Sequence, residues 1–202
     1  KCDWSSDVCS SDLNPDSYGL LSFGAWENMD VRLNSLQKVL TFDTGLKMVG
    51  AANGVLADAI HTAQDIDAAL QSAPPLPVTF PGSSLGQQLA QVAQVIAVQG
   101  TLGMNRQIFF AGMGGFDNHE DLVAKQDGLM TDLDEAVTAF FATLQNRGVM
   151  NDVTLFTESE FNRTGNANAN LGTDHAWGGH HLVLGGAVVG GQTYGTFPTH
   201  QL

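Results

Sequence analysis

Carboxylates and imidazoles gather at three places in the 202-residue chain, each with a spacing that could bring several of them to one ion or one ester. The first is Gly114-Gly115-Phe116-Asp117-Asn118-His119. Asp117 and His119, two apart on a glycine turn, can both face one cation, and an oxygen beside an imidazole nitrogen suits zinc, manganese or iron better than calcium. The rival reading makes Asp117 or Asn118 the N-cap of a helix that follows. The second place is Thr157-Glu158-Ser159-Glu160-Phe161-Asn162-Arg163-Thr164, where the carboxylates repel one another unless a cation or Arg163 compensates them. Glu160 is the candidate metal ligand there, and Arg163 the candidate catalytic group that grips an anionic substrate through its forked donors. An internal ion pair between the two is the plainer alternative. Asn162-Arg163-Thr164 also matches a glycosylation acceptor, a triplet common by chance.

The third place, Gly172-Thr173-Asp174-His175-Ala176-Trp177-Gly178-Gly179-His180-His181, holds three of the six histidines in the chain. Surface composition does not explain that concentration, which favours metal or acid–base chemistry. Asp174 and His175 are the candidate metal ligands. His180 and His181 point oppositely if the chain is extended, so at most one joins His175, and His180 stands as the candidate catalytic imidazole beside Arg163. His61 and His200 read as packed or solvated histidines. The glycine-rich stretches 112–115 and 185–191 lack the spacing and following helix of a dinucleotide or phosphate-binding loop, and no Gly-x-Ser-x-Gly elbow occurs.

The elements that must position these residues are helices alternating with apolar runs. Apolar residues recur three and four apart from Met29 to about Lys47 (Val31, Leu33, Leu36, Val39, Leu40) and from Ala51 to Gln71 (Val55, Leu56, Ile60, Ile66, Leu70), which predicts two amphipathic helices. The proline-rich stretch 73–82 predicts a loop. Ser83 or Ser84 can cap a third helix from Leu85 to Gln99, striped by Leu85, Leu89, Val92 and Ile96 and ended by Gly100. Arg106–Met113 reads as a short apolar strand, residues 119–147 as a long helix stopped by Gly148, Asp152–Thr157 as a buried strand, and His181–Val189 as another. The alternation predicts an α/β class with a parallel sheet, the three polar clusters lying just beyond the carboxyl ends of its strands. The long loop 158–180 between two of them is a functional segment on this reading.

Composition narrows the partners. With 43% hydrophobic and 14% charged residues the chain is globular and long enough to bury a core. Its formal charge of -13, with only eight Lys and Arg, argues against nucleic acid. No apolar run reaches the roughly 20 residues of a membrane-spanning helix, and the given sequence does not open on a basic n-region followed by an apolar stretch. Residues 1–13, which contain Cys2 and Cys9 and an imperfect Ser-Ser-Asp repeat, show no periodicity. They resemble a translated sequencing adapter and are set apart from a partial domain over residues 14–202, expected to be truncated at both ends.

Taken together and in this order, the stretches 114–119, 159–164, 172–181 and Leu184-Gly185-Gly186-Ala187-Val188-Val189-Gly190-Gly191 resemble domain-of-unknown-function family 1501, placed among the alkaline-phosphatase-like and sulfatase-like hydrolases. The resemblance reaches over roughly residues 14–202. It implies an alkaline-phosphatase-like fold with a parallel sheet and one or two divalent ions (zinc, manganese, iron or calcium). It also implies attack on a small anionic phosphate or sulfate ester. Carried over, Asp117 and His119 resemble first-metal ligands, Glu160 the second-strand carboxylate, and Asp174 with His175 the late ligand pair. Three departures stand out: Asn162 and Ala176 occupy positions where glycine is usual, and Asp-x-His replaces the Asp-x-x-x-His of the phosphatases. The nucleophile those relatives carry near the domain start is not identifiable, and its absence would leave the fragment inactive alone. Members often begin with a twin-arginine signal, which implies export to the periplasm. A binding or assembly protein that kept the fold and lost turnover is the alternative, and a metal that merely pins the long loop is a third reading.

Overall fold

The computed structural model describes residues 29–176 and 178–196. The expectations for residues 1–13 with both cysteines, for Trp177 and for the C-terminal stretch with His200 lie outside the described residues. The chain divides into two compact units, one drawn from Lys1–Pro75 and Gln91–Gly112, the other from Leu76–Ala90 and Met113–Leu202.

The first unit is helical. α1 (Met29–Leu40) and α2 (Lys47–Leu70) pack together, and α2 also meets the short α4 (Gln99–Leu102). Their predicted stripes are only partly buried: Ile60 is in the core, joined by Ala69 from outside the stripe, whereas Val39 and Val55 are exposed. α3 (Ser84–Ala97) crosses from one unit to the other. Ser83 starts it, its Oγ accepting a hydrogen bond from the Gly86 amide at 3.1 Å, which satisfies one of the amides left without an intrahelical partner. All four stripe residues of α3, Leu85, Leu89, Val92 and Ile96, are buried. Gly100 does not end the helical region; it lies inside α4, and the left-handed Gly103 (φ 63) terminates that helix.

The second unit is built on α5 (Leu122–Asn146), whose C-terminal half buries Ala136, Ala139, Phe140, Thr143 and Leu144. That spacing is the helical period, and it packs one face into a core. Gly148 follows in a left-handed conformation (φ 72), and the chain passes through a 3-10 turn (Met150–Asp152) into β1 (Thr154–Phe156). β2 (Asn162–Arg163), β3 (His175–Ala176) and β4 (Val183–Gly185) complete the strands among the described residues. No helix among them is long and apolar enough to cross a membrane.

The expected parallel-sheet α/β fold is overturned. Both sheets are two-stranded and antiparallel: β1 pairs with β4 through Leu155↔Leu184, and β2 with β3 through Arg163↔His175. The physical reason lies in the connections. Parallel neighbours require a crossover, usually a helix, yet no helix lies between β1 and β4, so the chain returns antiparallel. Among the described residues α5, the helix that leads into β1, has no strand before it. Arg106–Met113 forms none, and Ile108 is 91% exposed. A short apolar run beside glycines has the pattern of a buried strand, but pattern alone does not supply a partner to pair with. β1 likewise is not buried, since Phe156 is exposed, and His181–Val189 yields only three strand residues before a turn.

Candidate functional site

Two loops of the second unit are zipped together to make the site. The Thr173 amide donates to the Asn118 carbonyl at 3.1 Å, Asp121 to Asn170 at 3.2 Å and Leu122 to Leu171 at 3.0 Å, around a bridge between Glu120 and Leu171. Gly172 lets them touch, because a Cβ there would lie 2.0 Å from the His119 carbonyl carbon and 2.2 Å from the Glu120 nitrogen, both backbone. Within this pairing Asn118 and Thr173 are buried, whereas Asp117, His119, Asp174 and His175 face outward. The flanking pair β2·β3 supplies the rest: Arg163 and His175 are directly opposite, which puts both side chains on one face.

Asp117 is the centre of the cluster. Its Oδ1 lies 2.9 Å from His119 Nε2, 2.9 Å from His175 Nε2, and 2.6 Å from Arg163 Nη1, which donates to it. The His175 and then the Arg163 contacts hold the Asp117 carboxyl below the ordinary carboxylate range. On the far side of His119, Nδ1 lies 2.9 Å from Asp174 Oδ1, and His119 followed by Asn168 lowers the Asp174 carboxyl in the same way. Arg163 is half committed inward, donating from Nε to the Thr173 hydroxyl (2.9 Å) and from Nη2 to the Thr173 carbonyl (2.5 Å). The imidazoles are also held by stacking. Phe161 lies parallel to His175 at 4.5 Å between centroids, and His119 stacks on His175 at 5.2 Å.

One ligand atom from each of Asp117, His119 and His175 lies within 4.8 Å of the others. Ligands about 2.1 Å from an ion are roughly 3.0 Å apart across a cis edge of an octahedron and roughly 3.4 Å apart in a tetrahedron. The two 2.9 Å edges at Asp117 match the cis edge of an octahedron and equally the length of an imidazole–carboxylate hydrogen bond. Arg163 and His175 hydrogen-bond the Asp117 oxygen, whereas His119 Nε2 approaches it at 2.9 Å as a charge contact. The donor set, two imidazoles and one carboxylate, suits first-row transition ions.

The family described as protein of unknown function (DUF1501) matches residues 34–201. The chain belongs to this family. No curated protein and no solved structure shows similarity to it.

In this DUF1501 chain the candidates read from sequence separate into three groups. Asp117, His119 and His175 come together. Asp174 and Arg163 contact them without joining the three-atom cluster, Asp174 from behind His119 and Arg163 through Asp117. Glu160, exposed before β2, and His180, exposed after Gly179, stand outside the cluster. The capping alternative for Asp117 and Asn118 does not hold, since α5 begins at Leu122 with Asp121 (φ 48) before it. Nor does Arg163 pair with Glu160 internally; its carboxylate is Asp117. Asn162 and Ala176, both at positions where the family usually has glycine, lie opposite each other in β2 and β3.

Sequence reasoning missed Thr173, which anchors Arg163; Phe161, which stacks on His175; and Asn168, which bridges both loops. Only Asn168 carried a signal, as an Asx residue in a loop rich in Asn. His181 lies with Phe156, Glu158, Ser159 and Val183 along an open depression of about 660 Å³ that includes no cluster residue.

Proposed function

We propose that this DUF1501 chain is a divalent-metal-binding domain that hydrolyses a small anionic ester. The observation that carries the reading is the convergence of Asp117 Oδ1, His119 Nε2 and His175 Nε2 within 4.8 Å. When bound, a divalent ion supplies Lewis acidity to an ester oxygen and to water. Asp117, His119 and His175 would hold it, leaving positions for water and substrate. Arg163 keeps Asp117 ionised and in place, and each of its terminal nitrogens carries a second N–H that can face a substrate anion. The phosphate or sulfate class comes from the resemblance of the motifs to alkaline-phosphatase-like and sulfatase-like hydrolases, and not from the architecture, whose sheets are antiparallel. Export belongs to the same proposal.

A second reading, an exported protein that holds the ion for binding or assembly without turnover, is favoured by one observation. Asp117, His119 and His175 are all exposed, and the depression lined by Phe156, Glu158 and His181 includes none of them.

Both readings expect stoichiometric binding of Mn(II), Fe(II) or Zn(II), with a melting temperature that rises on saturation and falls on chelation. An ion at 100 times its Kd stabilises by about 2.7 kcal/mol. Hydrolysis of chromogenic phosphate and sulfate monoesters and diesters by the saturated protein, lost in His175→Ala, supports the enzyme. Metal binding with no turnover across that panel supports the binding protein. No binding of any of the three ions refutes both.

A further inference from the structure

We propose that Asn168 is the positioning residue of this site, holding Asp174 against the distal nitrogen of His119 and thereby fixing how His119 presents Nε2. The inference rests on the metal reading for its consequence, though not for its geometry. The Asn168 side chain is divided in its work. Its Oδ1 accepts from the amides of Asn170 and Gly172, both at 3.0 Å, and so folds its own loop. Its Nδ2 donates outward, to the His119 carbonyl at 3.0 Å and to Asp174 Oδ1 at 3.2 Å.

The same Asp174 oxygen lies 2.9 Å from His119 Nδ1. One carboxylate oxygen is thus held by the carboxamide on one side and faces the imidazole on the other, while the carboxamide also grips the backbone of the histidine itself. Histidines that ligate metal generally donate their other ring nitrogen to a carboxylate or carbonyl, which sets the tautomer, and loss of such a partner weakens metal binding about 10- to 100-fold. Asp174 is that partner for His119, and Asn168 is what keeps Asp174 in place. The likeness to phosphatases had put Asp174 among the ligands; the contact with Nδ1 gives it the orienting role instead.

The two halves of Asn168 can be separated chemically. Asn168→Asp keeps an acceptor for Asn170 and Gly172 but removes both outward donors and sets a second carboxylate beside Asp174. Asp174→Asn tests the dyad from the other partner and leaves the loop bonds of Asn168 intact, so the experiment survives if Asn168→Asp does not fold. In the full chain, Zn(II) affinity measured by competition with a chromophoric chelator should fall about 10- to 100-fold in each variant. The double variant should lose no more than either single one, because the residues act as a unit.

Ring-nitrogen NMR shifts of metal-free protein at pH 8 supply a readout that needs no ion: Asp174 faces Nδ1 of His119 and Asp117 faces Nε2, both at 2.9 Å, so loosening Asp174 changes how the ring shares its proton, and the His119 ring-nitrogen shifts of Asn168→Asp should differ from the parent's. Wild-type Zn(II) affinity in folded Asn168→Asp, additive losses in the double variant, or unchanged His119 shifts would overturn the proposal. If the parent takes no ion, the metal reading fails by itself, and the His119 shifts alone decide the role of Asn168.

Discussion

Substituting Gly172 tests the joint between the two loops, on which the geometry of the site depends. An added methyl would sit 2.0 Å from the His119 carbonyl carbon, 2.2 Å from the Glu120 nitrogen and 2.3 Å from the His119 oxygen. All three are backbone atoms, so no side chain can swing aside. Restoring the 3.4 Å of ordinary contact requires the loops to part by about 1.4 Å. The amide bonds Thr173→Asn118, Asp121→Asn170 and Leu122→Leu171, now 3.0–3.2 Å, would be stretched or broken. At about 1 kcal/mol each, less the roughly 0.4–1 kcal/mol that alanine gains by restricting the unfolded chain, Gly172→Ala should destabilise by about 1–3 kcal/mol. For a chain of this size that is a melting temperature lower by about 2–4 °C per kcal/mol. His119 is carried away from Asp174 and Asp117 by the same movement, so Zn(II) affinity should drop at least about tenfold. Gly114→Ala is the control, because nothing lies within 4 Å of its Cβ position. Thermal melts of metal-free protein and zinc titrations of both variants are the assays. A Gly172→Ala protein indistinguishable from Gly114→Ala in melting would refute the close approach of the loops, whatever the metal result.

Two further expectations concern acid and the core. Asp117 and Asp174 have carboxyls lowered in the folded state relative to about 3.9 in an unfolded chain, so the unfolded state binds protons first as pH falls. Their contribution to stability is complete above about pH 5 and is lost as the pH drops through the unfolded value toward the lowered ones. Urea midpoints between pH 3 and 7 should therefore fall less steeply in Asp117→Asn and Asp174→Asn than in the parent, and parallel slopes would contradict the ion contacts. Leu144 is fully buried on α5, so Leu144→Ala should cost about 2–5 kcal/mol in a urea melt, whereas Val123→Ala on the same helix, at 82% exposure, should stay within about 0.5 kcal/mol.

Much of the helical framework was legible because a helix is specified by local period. The stripe of α3 and the buried run of α5 recur at three and four residues, and the pattern needs no knowledge of what covers it. The strands were legible only in part. Thr154–Phe156 had the right composition, but its direction relative to Val183–Gly185 depends on the connection between them, and Arg106–Met113 shows that an apolar run without a partner forms no strand. The long loop 158–180, read from its histidines as functional, carries both strands of the second sheet and most of the site.

The amino-acid sequence alone determined which chemistry was available: the Asp-x-His turn, the arginine two residues after Phe161 and the Asp-His pair at 174–175 name the groups that could meet an ion, and their order names the family. Tertiary structure alone decided which of them do meet. Asp117 reaches His175 across 58 residues and Arg163 across 46, through antiparallel pairing and a glycine contact that no local spacing encodes. The same pairing turned Asp174 toward Nδ1 of His119 and left Glu160 and His180 outside the cluster. Side-chain type is fixed residue by residue, whereas convergence is a property of loops held together by backbone hydrogen bonds, and those bonds carry no signature in residue type.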